Sequence, residues 1–142
     1  ALEDHIFKAI ALGAPYVQAV CMGRSTLTAA MVGKTHGQLM RETYGDSKEY
    51  REMLLRTFIA AEQLEEKFGN DFLKIPPAAI GVYTYYDRLA TGLQQLMAGE
   101  RKFALRHVDR NDLVSLTREA ADVSGIPYVM ESDMEEIDKI LG

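Results

Sequence analysis

Apolar side chains recur at three- and four-residue steps along most of the chain, the spacing that lines one face of a helix. Ile6, Phe7 and Ile10 share a face ahead of Gly13, which predicts a short helix ended by a glycine. A second helix follows Ser25 or Thr26 as its cap, with Leu27, Ala30, Met31, Leu39 and Met40 expected on the buried side and Gly33 and Gly37 weakening its middle. From Asp46 the period is plainest, through Tyr50, Met53, Leu54, Phe58, Ala61, Leu64 and Phe68, with Asp46 and Glu49 at capping-box spacing and Gly69 as the stop. Pro76-Pro77 suits a helix entry, so a further helix is expected up to Gly99, with Ile80, Tyr83, Leu89, Leu93, Leu96 and Met97 inward. Asp109 is placed to cap a helix carrying Leu113, Leu116, Ala120 and Val123 and closed by Gly125. Ser132 and Glu135 repeat the box spacing before Met134, Ile137, Ile140 and Leu141. The reading is a mostly α fold with helices near residues 4–12, 26–40, 47–68, 78–98, 110–124 and 133–141.

One stretch breaks this pattern. Tyr16, Val17, Ala19, Val20 and Cys21 form an apolar run bounded by Pro15 and Gly23, as a buried strand does. Burial there makes Cys21 a small apolar packing residue rather than a nucleophile, since no histidine is near it in sequence. A lone strand leaves unpaired amides and carbonyls beside apolar side chains, so self-association as a homo-oligomer is expected. The composition shifts near Tyr44-Gly45-Asp46, which divides the chain into residues 1–45 and 46–142.

Composition narrows the function classes. The chain has 142 residues and a net charge of -5, from 16 basic and 21 acidic side chains. That balance speaks against a nucleic-acid partner, which needs clustered Lys and Arg. One cysteine excludes an internal disulfide and points to a reducing cytoplasm. The apolar runs are far shorter than the ~20 residues of a membrane span, and no targeting segment is evident. His5, His36 and His107 lack ligand spacing, so no metal site is expected. Tyr83, Tyr85 and Tyr86 read first as packing residues and second as a partner surface, and Asp109, Arg110 and Asp112 as an ordinary helix start.

The run Ala9-Ile10-Ala11-Leu12-Gly13-Ala14-Pro15-Tyr16-Val17, then Cys21-Met22-Gly23-Arg24, reads as helix, strand and a Gly-Arg turn into a helix. With residues 80–85, 92–99 and 125–131, it resembles the C-terminal part of glutamate synthase-related FMN-binding proteins. The resemblance implies the closing strand and helix of a (β/α)8 barrel followed by a helical extension. Such a barrel needs about 250 residues, so this chain is incomplete as one. It further implies FMN as the cofactor of the full-length family and glutamate biosynthesis as its activity. Gly23 and Arg24 are the positions that map onto a binding motif: glycine lets the backbone approach a phosphate, helix amides point at the anion, and arginine adds charge. No second cysteine follows Cys21, so the cluster ligands of full glutamate synthases have no counterpart. No catalytic residue is assigned, and the chain alone is expected to hold no FMN and make no glutamate. The alternative is a non-catalytic helical packing or oligomerisation module.

Overall fold

In a computed structural model, which describes residues 2–142 apart from the side chains of residues 135 and 136, the periodic segments become helices. They are α1 (Glu3–Gly13), α2 (Arg24–Tyr44), α3 (Lys48–Thr57), α4 (Ala61–Phe68), α5 (Pro77–Gly99), α6 (Arg118–Ser124) and α7 (Met134–Leu141). Short 3-10 turns occupy Gly69–Lys74, Leu105–His107 and Arg110–Asp112. The fold is mostly α. Among the described residues the β pairing is an isolated parallel bridge between Ser115 and Tyr128.

Two compact units divide the described chain. The first runs from Cys21 to Gly92, and the second joins Leu2–Val20 to Leu93–Gly142. The turn at Gly45 lies inside the first unit, where Gly45 at φ 64 supplies a left-handed position after α2.

The core of the first unit is Met40, Tyr50, Leu54, Phe58, Ala61, Leu64, Phe72 and Ile80. The expected single helix over 47–68 is two helices, because Phe58 leaves helical geometry at φ -107, ψ 105. Its side chain stays buried while Ile59 turns to solvent at 83% exposure. Both halves present their apolar faces to one core, so the period survives the break. The cap of α3 is Ser47, whose hydroxyl accepts from the Tyr50 amide at 3.4 Å. Asp46, expected in that role, instead pairs with Arg41 at 3.0 Å.

Helix α2 differs from expectation in which face it buries. It is continuous through Gly33 and Gly37, and those glycines with Met40 are its buried residues. Leu27, Met31 and Leu39 are exposed. The reason is close backbone approach: a Cβ on Gly33 would lie 2.5 Å from the Pro77 carbonyl oxygen and 3.1 Å from the Gly81 Cα. A Cβ on Gly81 would lie 2.7 Å from the Ala29 carbonyl oxygen. Small residues let the α2 and α5 backbones touch, and larger apolar neighbours are left outside.

In the second unit Ile6, Phe7, Ile10 and Ala11 of α1 are buried, as are Met97, Val108 and Ile126. The 110–124 region is not one helix. Asp109 caps the Arg110–Asp112 turn through a reciprocal box with Asp112. Ser115 then bridges to the chain beyond α6, its amide donating to the Pro127 carbonyl at 2.8 Å and its carbonyl accepting from Val129 at 2.9 Å. Thr117 starts α6 by accepting from the Ala120 amide. Leu116 and Val123, read from sequence as residues of one helix, are 78% and 90% exposed. At the end of α5 the left-handed residue is Arg101 at φ 54, not Gly99. The Arg101 amide donates to Ala98 and the Lys102 amide to Met97, the double closure of a Schellman motif. The box suggested by Ser132 and Glu135 falls partly on a side chain outside those described; α7 begins after Asp133 with no side-chain cap.

Candidate functional site

The turn singled out by sequence sits in the first unit. Gly23 is the N-cap residue of α2 and Arg24 its first residue; both are exposed. A Cβ on Gly23 would meet nothing within 4 Å, so the backbone here is open to approach. Neither Ser25 nor Thr26 caps the helix, and no side chain accepts from its first amides. The first backbone bond of the helix is Leu27 amide to Gly23 carbonyl at 3.2 Å. The amides of residues 24–26 therefore precede the helical ladder, and with the helix dipole they favour an anion. Among the described residues Arg24 forms no ion pair, so its guanidinium is uncommitted.

Thr26 and Tyr86 take a part that sequence reading did not assign. The Thr26 hydroxyl donates to the Met22 carbonyl at 3.1 Å and lies 2.8 Å from the Tyr86 hydroxyl. Since the threonine proton is used on Met22, Tyr86 is the donor of the second bond. This pair ties α5 to the turn before α2 and fixes the Met22 carbonyl. Tyr83 donates to Gln63 at 2.9 Å, tying α5 to α4, and Tyr85 packs edge-on against Tyr86 at 5.6 Å. A pairing across 60 residues leaves no local trace in sequence beyond an unusual density of tyrosine.

Two expectations are corrected by this region and its upstream neighbour. Cys21 is exposed, not buried. The segment before it forms no strand; Tyr16 is 91% exposed and the following residues are irregular. A strand is held by neighbours that take up its amides and carbonyls, and among the described residues none pairs with this segment in that way.

His5, His36 and His107 are exposed and far apart in sequence. Among the described residues no group of three or more His, Cys, Asp or Glu could hold a metal ion. No described helix is long and apolar enough to cross a membrane. The shifted titrations are structural. Asp109 is held below the usual carboxylate range, first by the Asn111 amide and then by Lys102, and Lys102 is raised chiefly by its hydrogen bond to Asp112. Comparison with protein-family models, with curated proteins and with solved structures gave no match.

Proposed function

We propose that the chain is the C-terminal part of a glutamate synthase-like, FMN-dependent oxidoreductase, and that Gly23 and Arg24 contribute to the flavin phosphate site of that protein. The observation that supports this most is the open turn at the start of α2, with an unobstructed glycine, three uncapped amides and an uncommitted arginine. The exposed apolar run from Tyr16 to Val20 also fits a barrel strand whose neighbours come from elsewhere. On this reading residues 1–45 are the closing helix, strand and helix of the barrel, and the later helices are its extension. The partners are the remainder of the barrel or further copies of the chain.

The chain supplies one corner of such a site. Two contacts, each with a net value of about 0.5–3 kcal/mol, compete with an association cost of at least ~4 kcal/mol. Isolated, it holds no flavin at micromolar concentration and performs no hydride transfer, because nothing in it fixes the ring against a substrate. When bound in the whole protein, the flavin supplies the redox chemistry; Gly23 and Arg24 only orient its phosphate.

A second reading has its own support. Leu27, Met31 and Leu39 form an exposed apolar stripe on α2, opposite the glycine face, which suits a helical packing or oligomerisation module. Flavin separates the two readings. The whole protein that contains this chain, purified from its native cells, is expected to be yellow and to lose flavin in the Arg24→Ala variant. A colourless protein, or one whose flavin content ignores that substitution, favours the packing module.

A further inference from the structure

The second unit encloses a cleft of about 760 Å³, inside the ~300–1,000 Å³ range of small-molecule sites. Its floor is apolar: Ile10, Val108 and Ile126 line it and are 5%, 2% and 7% exposed. Two guanidinium groups, Arg106 and Arg110, share the wall with Asp109.

The charges on this wall have different commitments. Arg110 donates to the Leu12 carbonyl at 3.4 Å and to the Ser124 carbonyl, so it fastens the ends of α1 and α6. The Asp109 carboxylate accepts from the Asn111 amide at 2.8 Å and faces Lys102 at 3.5 Å. Its charge is thus countered from behind. Arg106 is exposed and, among the described residues, makes no ion pair or side-chain hydrogen bond. The cleft therefore joins an apolar floor, one arginine fastened to two carbonyls and a second arginine without a partner among the described residues.

We propose that this cleft binds a small organic carboxylate with an apolar body, the carboxylate on Arg106 and the body against Ile10, Val108 and Ile126. A guanidinium fork matches a carboxylate in two parallel bonds. An inorganic anion would leave the floor unused, and a neutral apolar molecule would leave Arg106 unused. The proposal uses neither Gly23 nor Arg24 and stands independently of the flavin reading.

Benzoate serves as the probe, titrated into the full chain while methyl resonances of Ile10, Val108 and Ile126 are followed by NMR. Saturable shifts at all three are expected, with a dissociation constant on the order of 1 mM for a ligand of about nine heavy atoms. Benzyl alcohol, the neutral analogue, is expected to bind about tenfold more weakly, as one lost charged contact implies. Arg106→Ala should weaken benzoate by the same factor with the circular dichroism spectrum unchanged, and Arg106→Lys should restore part of it. Inorganic phosphate should leave the methyl signals in place. Absence of saturation, equal binding of benzyl alcohol, indifference to Arg106→Ala in a folded variant, or phosphate matching benzoate would each overturn the proposal.

Discussion

Replacing Gly33 by alanine separates two effects that usually act together. In a helix interior, glycine to alanine ordinarily stabilises by about 0.8–1 kcal/mol. Here the added Cβ would stand 2.5 Å from the Pro77 carbonyl oxygen, 3.1 Å from the Gly81 Cα and 3.2 Å from the Ala78 Cα. All three are backbone atoms of α5, so no side-chain rotation relieves the clash. Overpacking of this kind costs about 1–3 kcal/mol. Set against the propensity gain, the variant is expected to lose up to about 2 kcal/mol. At a few degrees per kcal/mol for a chain of this size, its midpoint should fall by up to about 8 °C. Gly99→Ala is the control, because a Cβ there meets nothing within 4 Å. Thermal and urea unfolding of both variants, followed by circular dichroism, makes the comparison. A Gly33→Ala protein as stable as Gly99→Ala would refute the close approach of α2 and α5.

Arg101 occupies a left-handed position that favours glycine, so Arg101→Gly should raise stability by about 0.5–1 kcal/mol, and a urea midpoint that falls would contradict this. The Thr84 hydroxyl oxygen is buried with no partner among the described residues; Thr84→Val removes the orphan and should stabilise by about 1 kcal/mol, checked by the same melts. Asp109, whose carboxyl is lowered by the Asn111 amide and by Lys102, should support its turn fully above the unfolded value near ~4. That support is lost as pH falls through the lower folded value. Lys102, raised by Asp112, should keep its contribution below ~10.4 and lose it as pH rises past the folded value. Hydrogen exchange at the Asn111 amide reads the acid limb, and unchanged protection through that limb would argue against the Asp109 cap.

The helices best legible in sequence were those where period and punctuation agree. Pro77 at the entry marked α5, and Ile80, Leu89 and Met97 are buried on it as expected, while Tyr83 and Leu96 are 40% and 38% exposed. Gly69 and Gly125, both at positive φ, end α4 and α6 where the sequence placed a stop. What failed had physical causes. Hydrophobic patterning weighs side-chain size, so on α2 it favoured Leu27, Met31 and Leu39 over the glycines that bring two backbones together. At Phe58 neither glycine nor proline marks the break, and the buried phenylalanine keeps the period in step. The 113–116 region has helical spacing, but Ser115 is held by Pro127 and Val129, a pairing that period cannot show. Gly23 and Arg24 could be named as candidates from sequence because the motif that suggests them is local. Tyr86 was missed in its role because its partner, Thr26, is distant along the chain.

The reading of this chain as one corner of a larger flavin site is tested most directly by the coding DNA upstream of its first codon. It predicts an open reading frame that continues in phase and encodes further strand and helix units, enough to bring the barrel to about 250 residues. A start codon immediately upstream, preceded by an in-frame stop, would contradict it.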